Sequence, residues 1–321
     1  LLLACLVPWP GAKGWGFLVG PPLALLLGAA LGLTLGNPWP KQSAAWSKRL
    51  LQVAVVGLGF GLDAREVVVV ARDAIPITLA GIAATFGAGW LLARVTRADG
   101  PTSFLVTTGT AICGGSAIAA MAPVVEADEK QTAVSLATIF TLNAIALVLF
   151  PPLGHALDLS NPAFGAWAAL AIHDTSSVVG ASSAFDLLVP PTGAATALAV
   201  GTTTKLARAL WILPLVLVVA WARRSKKRAP FPVFLLGFVA AVGLRALAPQ
   251  LEPLWSLLQL LARQVLVVTL LLIGAGLTRE VLKKLGVRPL VHGVVLWVLV
   301  GAASLGMIHA GWVPLGRTAG P

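Results

Sequence analysis

The sequence predicts an all-α polytopic membrane protein, an inverted-repeat transporter fold with two interrupted helices among about nine to eleven membrane elements. Three observations carry that prediction. Of 321 residues 58% are hydrophobic and only 11% charged, a balance no soluble globular class shows. Uncharged runs such as 15–36, 74–93 and 131–154 reach the roughly 20 residues a spanning helix needs, whereas a β-barrel would alternate apolar and polar residues over segments of about ten. Two internal duplications complete the case.

Charges and Pro/Gly punctuation place elements near 1–9, 15–36, 44–62, 74–95, 102–123, 128–153, 162–185, 193–222, 230–247, 254–277 and 288–311. They group into a partial N-terminal span (1–14), a scaffold repeat (15–95), an interrupted element with its span (102–153), a second such pair (162–222), and a second scaffold repeat (230–311). The chain starts without Met, so 1–7 reads as the remnant of a span rather than a signal peptide, since no small-residue cleavage site with a soluble domain follows. Lys41, Lys48, Arg49, Arg94, Arg97, the run 223–228, Arg279, Lys283, Lys284 and Arg288 fall in alternate loops. Those loops are expected to be cytoplasmic in a bacterial inner (plasma) membrane. The net charge of +11 is thereby explained by topology, and nucleic acid is not an expected partner.

The first duplication pairs Gly59-Phe60-Gly61-Leu62-Asp63-Ala64-Arg65-Glu66-Val67 with Gly274-Ala275-Gly276-Leu277-Thr278-Arg279-Glu280-Val281, one residue shorter, each at the end of a span. The second pairs Ile112-Cys113-Gly114-Gly115-Ser116 with Ile172-His173-Asp174-Thr175-Ser176, each followed by a long apolar segment. Parity makes the outer elements inverted copies. The Gly/Ser-rich pair obeys the same two-fold only if 102–123 and 162–185 turn back from opposite faces. Re-entrant hairpins are therefore expected over the alternative of two crossing helices with unwound centres.

Residues with chemistry concentrate in these elements. Thr107 to Ser116 holds three Gly and four hydroxyls in apolar surroundings, a composition that breaks a helix and is tolerable in lipid only beside buried protein or a cavity. Close small-residue packing is one reading. The other is a half-helix starting near Ser116 whose free N–H groups face an anion. His173 and Asp174 are ionisable residues inside a membrane element, costing ~2–3 kcal/mol or more in charged form unless paired. Asp174 or Thr175 also suits an N-cap. Lys205 and Arg208 follow three threonines deep in the span 193–222, too far from either end for Lys205 to snorkel. An internal ion pair with Asp174 is one reading, and a cationic anion site coexisting with it is the other. On the second, Lys205 supplies the charge for an anion and Asp174 offsets it when the site is empty. Thr141 and Asn143 occupy the matching region of the other repeat.

His155, His292 and His309 stand alone near span ends and suggest interfacial packing rather than a metal site. Tryptophans gather near span ends as an aromatic belt. Cys5 and Cys113 lie in apolar stretches, against a disulfide framework.

On the strings Thr108-Gly109-Thr110-Ala111-Ile112-Cys113-Gly114-Gly115-Ser116-Ala117-Ile118-Ala119-Ala120, Ala171-Ile172-His173-Asp174-Thr175, 151–155 and Lys205-Leu206-Ala207-Arg208, with Leu58-Gly59-Phe60 and Leu62, the chain from about Pro22 to Val300 resembles the YeiH-like family, often labelled sulfate exporters. Gly115 stands where Ala is common, and Ser176-Ser177 where Ala-Gln is common. The resemblance implies kinship with cation–proton antiporter and bile-acid-symporter folds, and a sulfate-like oxyanion as substrate. The combined expectation is a secondary transporter of a small anion by alternating access. Its site comprises Thr110, Cys113, Gly114, Gly115, Ser116, Asn143, His173, Asp174, Thr175, Ser176, Lys205 and Arg208. The alternative is a cation or proton antiporter with Asp174 as ion ligand. A proton or Na⁺ as coupling ion and a homodimer in the lipid bilayer are both compatible with the sequence. No Walker A string, nucleophile–base constellation or metal spacing occurs, so neither ATP, another cofactor nor enzymatic activity is expected.

Overall fold

Without water to pair backbone groups, a bilayer admits only elements that satisfy their own hydrogen bonds. The computed structural model is accordingly helical, with no strand among the residues it describes, which are 21–193, 195–224, 233–276, 278–280 and 286–313. The expected N-terminal span at 1–14 with Cys5, the basic run from Ser225 to Arg228, Lys283, Lys284 and the repeat residues Leu277 and Val281 lie outside them. Among the described residues five helical stretches are long and apolar enough to cross a membrane: Val67–Thr96, Lys130–Ala156, Ala197–Ala222, Pro249–Ala275 and Val287–His309.

The chain forms two packing units that do not follow chain order, residues 1–67 with 232–280, and 68–231 with 281–321. Each of the scaffold segments 15–95 and 230–311 is thereby divided between the units.

In the first unit lie α1 (Pro21–Thr34), α2 (Pro40–Gly59), α11 (Phe234–Leu247) and α12 (Glu252–Ala275). Small residues let their backbones approach. Gly57 faces Ala262, Gly61 faces Gln259, and Phe60 stacks on Trp255 with ring centroids 5.1 Å apart. These contacts run in opposite senses along the chain, so α2 and α12 are antiparallel, as inverted copies must be. α2 and α12 end at Gly59 and Ala275, within a residue of equivalent positions in the first duplication.

The second unit contains α3 (Ala64–Thr96, from Val68 onward), α4 (Gly100–Ala111), α5 (Gly115–Met121), α6 (Glu129–Ala156), α7 (Asn161–Ala171), α8 (Thr175–Leu188), α9 (Ala197–Ala209), α10 (Ile212–Ala222) and α13 (Val287–His309). Here α4–α5 and α7–α8 are re-entrant hairpins. Asp99, the N-cap of α4, accepts from Gln131 Nε2 at 2.8 Å, so the first hairpin starts beside the start of α6. At the base of the second, Asn161 Nδ2 donates to Asp186 Oδ1 and to the Val189 carbonyl, both at 2.8 Å, and Phe164 stacks on Phe185 at 3.9 Å. Gly154, near the C-terminal end of α6, packs on that Phe164. The hairpins therefore enter from opposite ends of α6. Arg288 at the start of α13 donates to the Arg97 carbonyl just after α3, so those two helices are antiparallel as well.

The second duplication maps onto the hairpin turns residue by residue. Ile112 and Ile172 are the C-caps of the first half-helices, and Gly114 and Asp174 the N-caps of the second. One break was not expected: the span 193–222 divides into α9 and α10 at Leu210 and Trp211. Pro214 has no N–H to give the Leu210 carbonyl, which a continuous helix would require.

Where helices cross on glycine, added volume must separate them. A Cβ on Gly165 of α7 would lie 2.5 Å from the Ala197 carbonyl oxygen and 2.9 Å from the Gly201 nitrogen of α9. We expect Gly165→Ala to lower the melting temperature of the detergent-purified protein by several degrees, and Gly243→Ala, whose Cβ meets nothing within 4 Å, to leave it unchanged or raise it.

Candidate functional site at the hairpin tips

The two tips meet halfway along α6. Gly114 adopts φ +64°, a conformation L side chains rarely take, and a Cβ there would lie 3.3 Å from Cβ of Asp174 and 3.3 Å from the Ile139 side chain. Gly114 and Asp174 are equivalent positions of the duplication, and such residues touch where a two-fold axis passes. Asn143, near the middle of α6, accepts the Asp174 N–H on its Oδ1 at 3.2 Å. Asp174 then caps α8: its Oδ2 accepts from the Ser176 N–H at 3.0 Å and from the Ser176 hydroxyl. The N-terminus of α8 thus already holds a carboxylate.

Opposite these N-termini the first half-helices end inside the protein, and their last carbonyls need donors. Arg208 supplies them. Its Nε donates to Ala111 O and its Nη2 to Thr110 O, both at 2.6 Å, while Nη1 donates to Leu170 O at 2.6 Å and Ala169 O at 3.2 Å. Lys205 Nζ donates to Ile172 O at 2.6 Å and Ala169 O at 3.3 Å. Both side chains are buried, Lys205 completely. One guanidinium therefore clasps the C-terminal ends of α4 and α7 together, and the ammonium reinforces the second, where the helix dipole favours positive charge. Among the described residues no ion pair joins either cation to Asp174. The ion-pair reading is corrected accordingly: the cations answer to main-chain carbonyls, acceptors that sequence does not display.

The remaining candidates divide by exposure. Cys113 is a buried free thiol in the first turn, and Thr175 is buried. The Thr110 hydroxyl bonds back to the Val106 carbonyl, so its own carbonyl is what serves the site. Gly115 is half-buried against the Phe140 ring, and Ser116 is exposed on the surface of this unit. Asp174 is half-buried. His173 is fully buried, and neither ring nitrogen has a hydrogen-bond partner among the described residues.

His292 departs from its interfacial expectation: it is fully buried in α13 with Nε2 3.1 Å from the Thr107 hydroxyl. Trp297, also expected in the aromatic belt, is an interior residue, its ring 5.9 Å from Phe150 and 6.3 Å from the His173 ring. Its signal in the sequence was its place near the middle of the span 288–311 rather than at an end. Among the described residues no three His, Cys, Asp or Glu side chains gather as a metal site would require.

Crossed half-helices with opposed, capped ends define a multi-pass helical membrane protein built on inverted re-entrant hairpins. The chain belongs to the family described as conserved hypothetical protein 698, which matches residues 18–293 and comprises the YeiH-like, UPF0324 membrane proteins. It is 50% identical over 312 residues to a UPF0324 membrane protein of Geobacter sulfurreducens, covering 97% of this chain and 95% of the relative. A UPF0324 membrane protein of Bdellovibrio bacteriovorus is 44% identical over 302 residues (92% and 90%), and one of Bacteroides thetaiotaomicron 42% over 303 (94% and 89%). No solved structure matches the chain.

Removing the clasp leaves the Thr110, Ala111 and Leu170 carbonyls of two buried helix ends without their donor, and Ala169 with its contact to Lys205 alone. Arg208→Met is expected to destabilise the protein by ~3 kcal/mol or more, read as a large fall in melting temperature. Arg208→Lys, which keeps the charge but cannot reach both ends at once, is expected to fall between.

Proposed function

We propose that this protein is a secondary transporter that carries a small oxyanion, sulfate-like in size and charge, across the bacterial inner membrane by alternating access. The observation that carries the reading is the charge arrangement at the crossing. Arg208 stays a guanidinium at any physiological pH, Lys205 stands beside it, and among the described residues neither makes an ion pair with Asp174. Asp174 is the one acidic side chain in the two turns. The cations exceed the carboxylate, and an anion arriving at the tips restores the balance.

The alternative reading, a cation or proton antiporter, draws on the half-buried Asp174. A bare cation at broken helices is held by carboxylate and carbonyl oxygens, and here the carbonyl ends are already taken by Arg208 and Lys205 while the Asp174 carboxylate is engaged by Ser176. This favours the anion. Coupling to a proton or Na⁺ fits either reading, with Asp174 the titratable group that faces the tips, and nothing in the reading requires an enzymatic step.

Calorimetric titration of the purified protein with sulfate, sulfite, thiosulfate, bicarbonate and Na⁺ tests the proposal. Wild type is expected to bind a member of the oxyanion series. Lys205→Met is expected to weaken that binding at least tenfold in a folded protein, whereas Asp174→Asn, which keeps an N-cap side chain, retains it with altered pH dependence. Binding of Na⁺ alone, abolished by Asp174→Asn and kept in Lys205→Met, would instead establish the antiporter.

A further inference from the structure

The cations at the crossing have most of their N–H groups on carbonyls, and the N-terminus of α8 is occupied by Asp174, so neither offers the direct contacts an anion would need. Donors without partners lie elsewhere. The Asn143 amide is oriented by its own chemistry: Oδ1 must face the Asp174 N–H it accepts, which leaves the NH₂ group as the other end, buried and without a partner among the described residues. Trp297 Nε1, which can only donate, is likewise buried without a partner among the described residues. It is the exception among the buried indoles of the described residues, since Trp167 donates to the Gly301 carbonyl at 3.0 Å and Trp255 to the Ala248 carbonyl at 2.9 Å. The His173 ring, with both nitrogens unpartnered, lies 6.3 Å from the Trp297 ring and in the residue next to both Asp174 and the Lys205 acceptor Ile172.

Buried polar groups in native proteins are almost always satisfied. Several unpartnered ones gathered from α6, the second hairpin tip and α13 point to a ligand, and their balance names its class. The Asn143 NH₂ and the Trp297 N–H only donate, and a neutral imidazole adds one donor and one acceptor. We infer that the transported oxyanion seats behind the tip of the second hairpin, held by Asn143 Nδ2, Trp297 Nε1 and a His173 ring N–H, with Lys205 and Arg208 acting through their field rather than by contact. The inference rests on the oxyanion reading and gives it an address. Trp297 becomes a binding residue, and Lys205 and Arg208 become positioning residues. The charged groups that surround the seat are Lys205 and Arg208 of α9 and Asp174 of the tip.

The test uses the full chain, with sulfate as the probe. Trp297→Phe keeps an aromatic ring against Phe150 and removes the N–H. Asn143→Asp keeps an acceptor for the Asp174 N–H and replaces the free donor by an acceptor. Each is expected to weaken sulfate binding at least tenfold, Trp297→Phe at unchanged melting temperature and Asn143→Asp, which adds a carboxylate beside Asp174 and lowers the melting temperature, in a protein that remains folded at the assay temperature. In wild type labelled with ¹⁵N-indole tryptophan, the resonance missing from Trp297→Phe is expected to shift on titration. Wild-type sulfate affinity in either folded variant overturns the inference, as does a Trp297 resonance unmoved at saturating sulfate, which would assign these donors to water. In those outcomes wild type still binds the oxyanion and the transport reading stands. Should wild type bind no oxyanion, that reading falls and takes the seat with it.

Discussion

A helix that stops inside a membrane leaves carbonyls that no water can reach, and the rest of this protein follows from how two such stops are satisfied at once. Arg208 is the device. Its planar fork meets the ends of α4 and α7 from one side chain, and only a guanidinium has enough donors in a fixed geometry to do so. Lys205, three residues earlier on the same helix and so on the same face, adds its ammonium to the end of α7. The position of α9 is thereby locked to both hairpins. Asp186 strengthens the lock from the far end, capping α9 at Ala197 and Leu198 while holding Asn161 at the base of the second hairpin.

The two halves share geometry but not chemistry. Equivalent turns place Gly114 against Asp174, and two carboxylates at that contact would repel in a medium of low dielectric constant. Glycine in one copy and aspartate in the other resolves this, and the glycine also permits the positive φ of the first turn. The helices behind the hairpins diverge in the same way: α6 contributes the neutral Asn143 and α9 the cationic pair. A duplication that began symmetric thus carries its carboxylate and both cations in one copy and neutral groups in the other, and a site with polarity results.

Much of this was legible in the sequence. The Gly/Ser-rich strings located both breaks, and parity selected hairpins over crossing helices because only opposed hairpins obey the two-fold of the outer repeats. The sequence offered Asp174 or Thr175 as an N-cap because either has a local mechanism at a helix start, and the structure assigns the cap to Asp174. Lys205 and Arg208 could be placed in the interior but not given partners. A carbonyl acceptor belongs to every residue, and which ones lack donors depends on where helices end in space. The break at Leu210 was signalled by Pro214, four residues on, yet the length and apolarity of the span outweighed it. His292 was read as interfacial from its place near a span end and the tryptophans from their gathering near span ends, and only the packing of α13 on α4, α6 and α7 shows that His292 and Trp297 face inward.

The separation of charge from contact bears on how a transporter could release what it holds. An ammonium touching an oxyanion in a dry interior would bind it too strongly to let it leave, since the attraction between unit charges grows steeply as the dielectric constant falls. Conduction and transport need binding that is selective but shallow. On the proposed oxyanion reading, cations whose donors are mostly held by carbonyls would not close onto the ligand, while their field would disfavour a cation there and offset the cost of bringing in an anion. Neutral N–H groups would then supply direction without adding charge. Such a division keeps the selective element fixed in the fold, because Arg208 and Lys205 are as necessary to the hairpins when the site is empty as when it is filled. It also means that a variant at either cation reports on binding only where its melting temperature shows it folded, whereas the neutral N–H donors can be removed without freeing a helix-end carbonyl.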